Sequence, residues 1–139
     1  MPAGTTESWS APAIADNVAW LRGEAVDFAA TLDVIEPPIY ALKLALSEAI
    51  TNAVVHAFRD REPGTVTVTI VVDVPDQKVT ATVRDDGMGC LPRSDSPGLG
   101  LGLPMMSTLA ATLHVCAPAS GTGTEVNMTF PLGAADSLN

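Results

Sequence analysis

Residues 40–58 read YALKLALSEAITNAVVHAF, a run in which helix formers dominate. Wound at about 3.6 residues per turn, Leu42, Leu46, Ala49, Ile50, Ala53 and Ala57 fall on one stripe broad enough to pack on a core. Glu48 and Asn52, at i and i+4, share a different face, where their neighbours are Ala41, Leu44, Ala45 and Val55. A carboxylate and an amide among apolar side chains cost desolvation free energy unless something hydrogen-bonds or coordinates them. The polar outer surface of this helix lies elsewhere, around Lys43 and Ser47, so Glu48 and Asn52 point to a site on a second packed face. Taken alone, the two residues read more readily as an ordinary solvated helical pair; the loops elsewhere in the chain weigh against that.

Upstream, Val18, Leu21, Ala25, Phe28 and Ala29 recur at helical spacing and predict a first helix from Ile14 to about Leu32, with Asp16 or Asn17 near its start. Pro37 and Pro38 interrupt the pattern and suit the first turn of the helix that follows. The segment ESWSAPA before the first helix predicts a short edge strand ended by Pro12, after a tail over 1–8 expected to be disordered. Downstream, TVTVTIVVDV alternates, placing Val66, Val68, Ile70, Val72 and Val74 on one face. PDQ turns the chain, and KVTATVRD alternates again, so the two runs read as a hairpin. In that second strand Val79, Ala81, Val83 and Asp85 share the core side, which directs Asp85 inward and Asp86 toward water.

A glycine-rich turn, GLGLG, leads into a helix predicted on Leu103, Met106, Leu109, Ala110 and Leu113, with Pro104 in its first turn. LHVCAP predicts a strand, and TEVNMTFPL another, in which Thr124, Val126, Met128 and Phe130 alternate with Glu125, Asn127 and Thr129. Hairpins with helices gathered apart from them imply an α+β fold, a two-layer sandwich with a mainly antiparallel sheet. The expected organisation is one domain over 9–132, followed by a frayed tail over 133–139.

Sixteen acidic residues against seven basic give a net charge of −9 with no basic cluster, which argues against a nucleic-acid surface. An anionic ligand would then be held by backbone amides, a helix N-terminus or a bound cation. Cys90 and Cys116 lack metal-type spacing and suit a reducing compartment. No leader and no apolar run of membrane-spanning length is present, so a cytoplasmic protein is expected, away from membranes.

Three glycine-bearing loops stand beside the Glu48 and Asn52 helix. The first is Asp85-Asp86-Gly87-Met88-Gly89: an inward carboxylate followed by glycines suits acceptance of a hydrogen bond from a flat ligand's exocyclic amine, such as that of adenine. As a plain turn between elements, DG is equally common. The second, Gly98-Leu99-Gly100-Leu101-Gly102, brings free N–H groups to a helix start without the GK[ST] of a P-loop or the strand context of a dinucleotide fold. The third, Gly121-Thr122-Gly123-Thr124, is by itself a hairpin-type turn.

In this order the four elements resemble the ATP-binding fold shared by DNA gyrase, the Hsp90 chaperone, histidine kinases and the MutL repair protein. Its N box matches Glu48–Asn52, and its three glycine boxes match Asp85–Gly89, Gly98–Gly102 and Gly121–Thr124. Within that family, a single short domain with EAITNAVVHA looks like the bacterial anti-sigma factor serine kinases. The resemblance implies ATP and Mg²⁺ as cofactors, with Asn52 coordinating the ion that bridges the phosphates and Glu48 as general base toward a partner's serine. It implies that Asp85 reads the adenine amine, that Gly87 and Gly89 shape the floor and that Thr124 closes the adenine side. Gly98, Gly100 and Gly102 would bring amides to the phosphates, with residues 90–97 as the lid. It further implies a sigma factor and an anti-anti-sigma antagonist of the STAS type as partners, and a homodimer.

One departure is plain: the anti-sigma kinases carry an arginine just before the second glycine box, where this chain has Asp95, Ser96 and Pro97, leaving Arg93 as the basic residue of the lid. The alternative expectation is therefore an ATP-binding regulatory module that holds a protein partner without catalysis. His56 reads as a helix-end residue, since no dimerising helical hairpin precedes it, and His114 is assigned no role.

Overall fold

The computed structural model describes residues 4–56, 64–87, 109–116 and 123–132. Within them the chain runs β1 (Thr5–Pro12), α1 (Asp16–Thr31), α2 (Pro38–His56), β2 (Thr65–Asp73), β3 (Lys78–Asp85), β4 (Thr112–Cys116) and β5 (Thr124–Pro131). The strands form one sheet in the order β1-β2-β3-β5-β4, with every pair antiparallel. Both helices pack on one face of it, α1 over β1 and β2, and α2 chiefly over β3 and β5. This is the two-layer α+β sandwich that the alternating strands imply.

The core is the interface between the layers. Val66, Val68, Ile70 and Val72 of β2, Val79, Ala81 and Val83 of β3, and Met128 and Phe130 of β5 are all buried. They meet Leu21, Ala25 and Ala29 of α1 and Leu42, Leu46, Ala49, Ile50 and Ala53 of α2. Trp9 of β1 meets Phe28 of α1 edge-to-face, with ring centroids 5.7 Å apart, a favoured aromatic geometry. The opposite sheet face is solvated, and its hydroxyls pair across strands: Ser8 with Thr69 and Ser10 with Thr67, each at 2.8 Å.

Local chemistry sets the helix ends. Ala15 gives α1 no side-chain cap; Asn17 instead donates its amide to the Pro12 carbonyl at 2.8 Å, tying the helix to the end of β1. At the other end Asp33 adopts a positive φ of 68°, and the N–H groups of Asp33 and Val34 donate back to Ala30 and Ala29. That is a Schellman ending, closed by the burial of Val34. Pro38 opens α2, where its missing N–H is no loss.

Three expectations are corrected. The first strand starts at Thr5, so Thr5–Ser8 are strand and not a disordered tail; their polar side chains are tolerated because β2 supplies the hydrogen-bonded ladder. Val74 does not share the inward face of β2: the strand ends at Asp73, whose carboxylate accepts the Asp76 N–H at 3.1 Å, and Val74 lies in the turn, 55% exposed. Leu113 lies in β4, paired with Met128, and not on a helix face. Ala57 and the body of the helix predicted after the second glycine turn lie outside the described residues.

Candidate functional site

The direction of α2 follows from what its first turn touches. Pro37, Pro38 and Ala41 line a cleft of about 210 Å³ together with Phe130 and Pro131, at the close of β5. The helix has 19 residues and is about 28 Å long; β3, with 8 residues, spans about 26 Å. Starting over the end of β5, α2 therefore carries its second half toward the opposite end of the sheet, where β3 stops at Asp85 and β5 begins at Thr124. Glu48 and Asn52 are on that half. Both are half-buried, flanking the stripe of Leu46, Ala49, Ile50 and Ala53 that faces the sheet. Among the described residues neither side chain has a hydrogen-bond partner, so two polar groups at the border of the core keep their bonding capacity open.

The sheet end is organised around Asp85. Alternation along β3 buries it beside Val83, leaving it 6% exposed, as the strand pattern predicts. Its Oδ1 accepts the Gly87 N–H at 2.9 Å, closing a turn two residues on, and the carboxylate also accepts the backbone N–H of Thr124. Burial pushes the Asp85 carboxyl above its ordinary pKa; the two amides pull the other way, and the neighbouring charge of Asp86 adds to the rise. A buried carboxyl that still has a raised pKa with two backbone donors among the described residues is a group that an additional donor would favour in its ionised form.

Thr124 reaches Asp85 because Gly123 precedes it. Gly123 has φ +88°, and a Cβ there would lie 1.8 Å from the Asp85 carbonyl oxygen and 2.9 Å from the Asp86 Cα. Only glycine lets the two backbones approach so closely. Asp86 points outward, as expected, but it is not idle: its Oδ1 accepts the Thr65 N–H at 2.9 Å, linking the corner to the start of β2. Sequence reading assigned neither Gly123 nor Asp86 a role; the signal for Gly123 was the GTG turn, and for Asp86 there was none, since its partner is 21 residues away.

Asp85, Gly87 and Thr124 are thus brought together, with the half of α2 that holds Glu48 and Asn52 running toward them. Gly89, Gly98, Gly100 and Gly102, with the lid over 90–97, lie outside the described residues. His56 closes α2, and His114 pairs with Asn127 on the sheet face away from the helices. Among the described residues no three His, Cys, Asp or Glu side chains cluster to hold a metal. Nor is any described helix long and apolar enough to cross a membrane.

Among the described residues, two helices lie over a five-stranded antiparallel sheet with a glycine-flanked acid at one sheet end, and the comparisons with known proteins show which class of protein has this arrangement. The family model for the histidine kinase-like ATPase domain matches residues 11–130. The chain is 31% identical over 122 residues to an anti-sigma F factor of Clostridium beijerinckii, covering 80% of this chain and 83% of that protein. It is 36% identical over 113 residues to blue-light-activated histidine kinase 2 of Erythrobacter litoralis, covering 78% of this chain but 32% of the kinase. In fold it resembles the solved RsbU and RsbW domains of a Mycobacterium tuberculosis protein, with a TM-score of 0.70 over 92% of this chain and 32% of that one, at 20% identity. The chain belongs to the histidine kinase-like ATPase domain family. Membership implies an ATP site, and the relatives define it more narrowly as an anti-sigma-factor-like ATPase.

Proposed function

We propose that this protein is an anti-sigma-factor-like serine/threonine protein kinase: it binds Mg-ATP, holds a sigma factor, and phosphorylates a serine of a STAS-type antagonist that competes for it. The observation that carries the reading is Asp85, a buried carboxylate at the end of β3 that accepts the backbone N–H groups of Gly87 and Thr124. Such a group suits the exocyclic amine of adenine. The names of the relatives, anti-sigma F factor in several clostridia, support the partner assignment.

ATP and Mg²⁺ fit the residues present. Asn52 offers a half-buried amide oxygen, a hard donor of the type Mg²⁺ takes alongside phosphate oxygens and water. One amide cannot hold the ion alone, so the triphosphate must share it. When bound, the ion neutralises phosphate charge. By the resemblance, Gly98, Gly100 and Gly102 would offer amides to the same phosphates, Gly89 would serve the adenine floor with Gly87, and residues 90–97 would be the lid; all but Gly87 lie outside the described residues.

Glu48, four residues before Asn52, takes the proton from the acceptor serine hydroxyl. The serine oxygen bonds to the γ-phosphorus as the bond to the β–γ bridging oxygen breaks, and ADP leaves with that electron pair. The protein acts in the cytoplasm, as a homodimer. Incubation with labelled ATP and candidate STAS-domain antagonists tests the reading: wild type transfers label to a serine, and Glu48→Ala does not. Label that persists unchanged in Glu48→Ala refutes the base assignment.

A second reading has its own support. Asp95, Ser96 and Pro97 stand where the anti-sigma kinases carry an arginine ahead of the second glycine box. Without that cation the terminal phosphate loses a stabilising charge, and the protein would act as an ATP-gated module that holds its partner without transfer. ATP binding that gates partner capture, with no labelled serine on any antagonist, selects this reading.

A further inference from the structure

We infer that Asp86 is a positioning residue for purine recognition: by holding the first amide of β2, its carboxylate fixes the peptide that carries the Gly87 N–H toward Asp85. The inference rests on the proposed role of Asp85 as the acceptor of the adenine amine.

The β2–β3 ladder has its last backbone pair at Val66 and Asp85. One residue further out the chain leaves the strand, and Thr65, which faces Pro12 on its other side, would have an amide with no rung on β3. The Asp86 side chain supplies that rung, accepting the Thr65 N–H at 2.9 Å. The amide nitrogen of Gly87 belongs to the peptide that begins at Asp86, and it donates to Asp85 Oδ1 at 2.9 Å. Anchoring Asp86 therefore orients the donor that orients Asp85. Asp86 is exposed and makes no core contact, so its removal opens no cavity in the packed layer. Its charge and its hydrogen bond act separately: asparagine keeps the acceptor and loses the charge.

The test is calorimetric titration of the full chain with Mg-ATP and with Mg-purine riboside triphosphate, which lacks the 6-amino group, using wild type, Asp86→Ala and Asp86→Asn at matched thermal stability. Wild type prefers ATP. Asp86→Ala loses about fivefold for ATP and less than about twofold for the analogue, so discrimination falls, while Asp86→Asn stays within about twofold of wild type for both. Asp86→Ser, with a hydroxyl too short to reach the Thr65 amide, carries the same expectation if the alanine variant is too unstable to titrate. Equal losses for the two nucleotides, or discrimination unchanged in Asp86→Ala, overturn the inference while leaving the Asp85 reading intact. A wild type that does not distinguish the nucleotides overturns both.

Discussion

Gly123 lies so close to Asp85 that a Cβ on it would stand 1.8 Å from the Asp85 carbonyl oxygen. The contact joins the start of β5 to the end of β3, and it sets the Thr124 amide on the Asp85 carboxylate. Gly123→Ala meets two obstacles, a backbone overlap that no rotamer relieves and a φ of +88° that alanine adopts only under strain. The expected loss is roughly 1–3 kcal/mol or more of folding stability, read by urea denaturation. ATP affinity falls with it, because Thr124 is carried away from Asp85. An alanine variant as stable as wild type would show that the loop relaxes without strain.

Asp85→Asn separates recognition from packing. Removing the ionised acceptor of a buried, charge-assisted bond weakens ATP about tenfold or more, equivalent to about 1.4 kcal/mol per decade. The pH dependence has a definite sign. Burial raises the Asp85 pKa in the free protein, and an amine donates to the ionised form. ATP affinity therefore falls as pH drops through that raised pKa, and the fall that Asp85 contributes is missing in Asp85→Asn. Stability runs the other way. The native carboxyl binds its proton more tightly than the unfolded one, so the Asp85 contribution favours the folded state at low pH. It is lost as pH rises from the unfolded value near 3.8 through the native one. Identical pH profiles for ATP binding by wild type and Asp85→Asn would remove Asp85 from the site.

The underside of α2 is a packing surface, and a substitution there ought to act on stability alone. Leu46 is fully buried between the helix and the sheet. Leu46→Ala costs roughly 2–5 kcal/mol by the cavity it leaves, and half-buried Leu44→Ala costs distinctly less. Urea midpoints compare the two. Equal losses would mean that the helix does not face the sheet by its Leu42–Ile50 stripe.

Much of this was legible because it depends on local period. The alternation of Val66, Val68, Ile70 and Val72 and of Val79, Ala81 and Val83 gives the core face of the hairpin, and the same alternation carries Asp85 inward. The α2 stripe is equally local. What escaped is long-range or chemically ambiguous. Thr5–Ser8 look like a polar tail because an edge strand solvated on one face needs few apolar residues once β2 completes its ladder. The Gly123 contact with Asp85 and the Asp86 bond to Thr65 join residues far apart in sequence, where no periodicity signals them.

Glu48 and Asn52 share one helix flank, yet the proposed chemistry assigns them separable tasks. Asn52 contributes to binding, by way of the ion and the phosphates, so Asn52→Ala weakens Mg-ATP by about tenfold or more while changing little in the metal-free titration with ATP. Glu48 acts on the acceptor's proton, so Glu48→Gln leaves Mg-ATP affinity within about twofold and lowers transfer to the antagonist serine by about 10²–10⁴. Both residues are half-buried at the border of the core, and both substitutions keep the helix, so thermal stability shifts little. Titration with and without Mg²⁺, beside single-turnover transfer from labelled ATP, reads the two tasks independently. A Glu48→Gln protein that loses ATP binding as Asn52→Ala does would assign Glu48 to the nucleotide and leave the serine without its base.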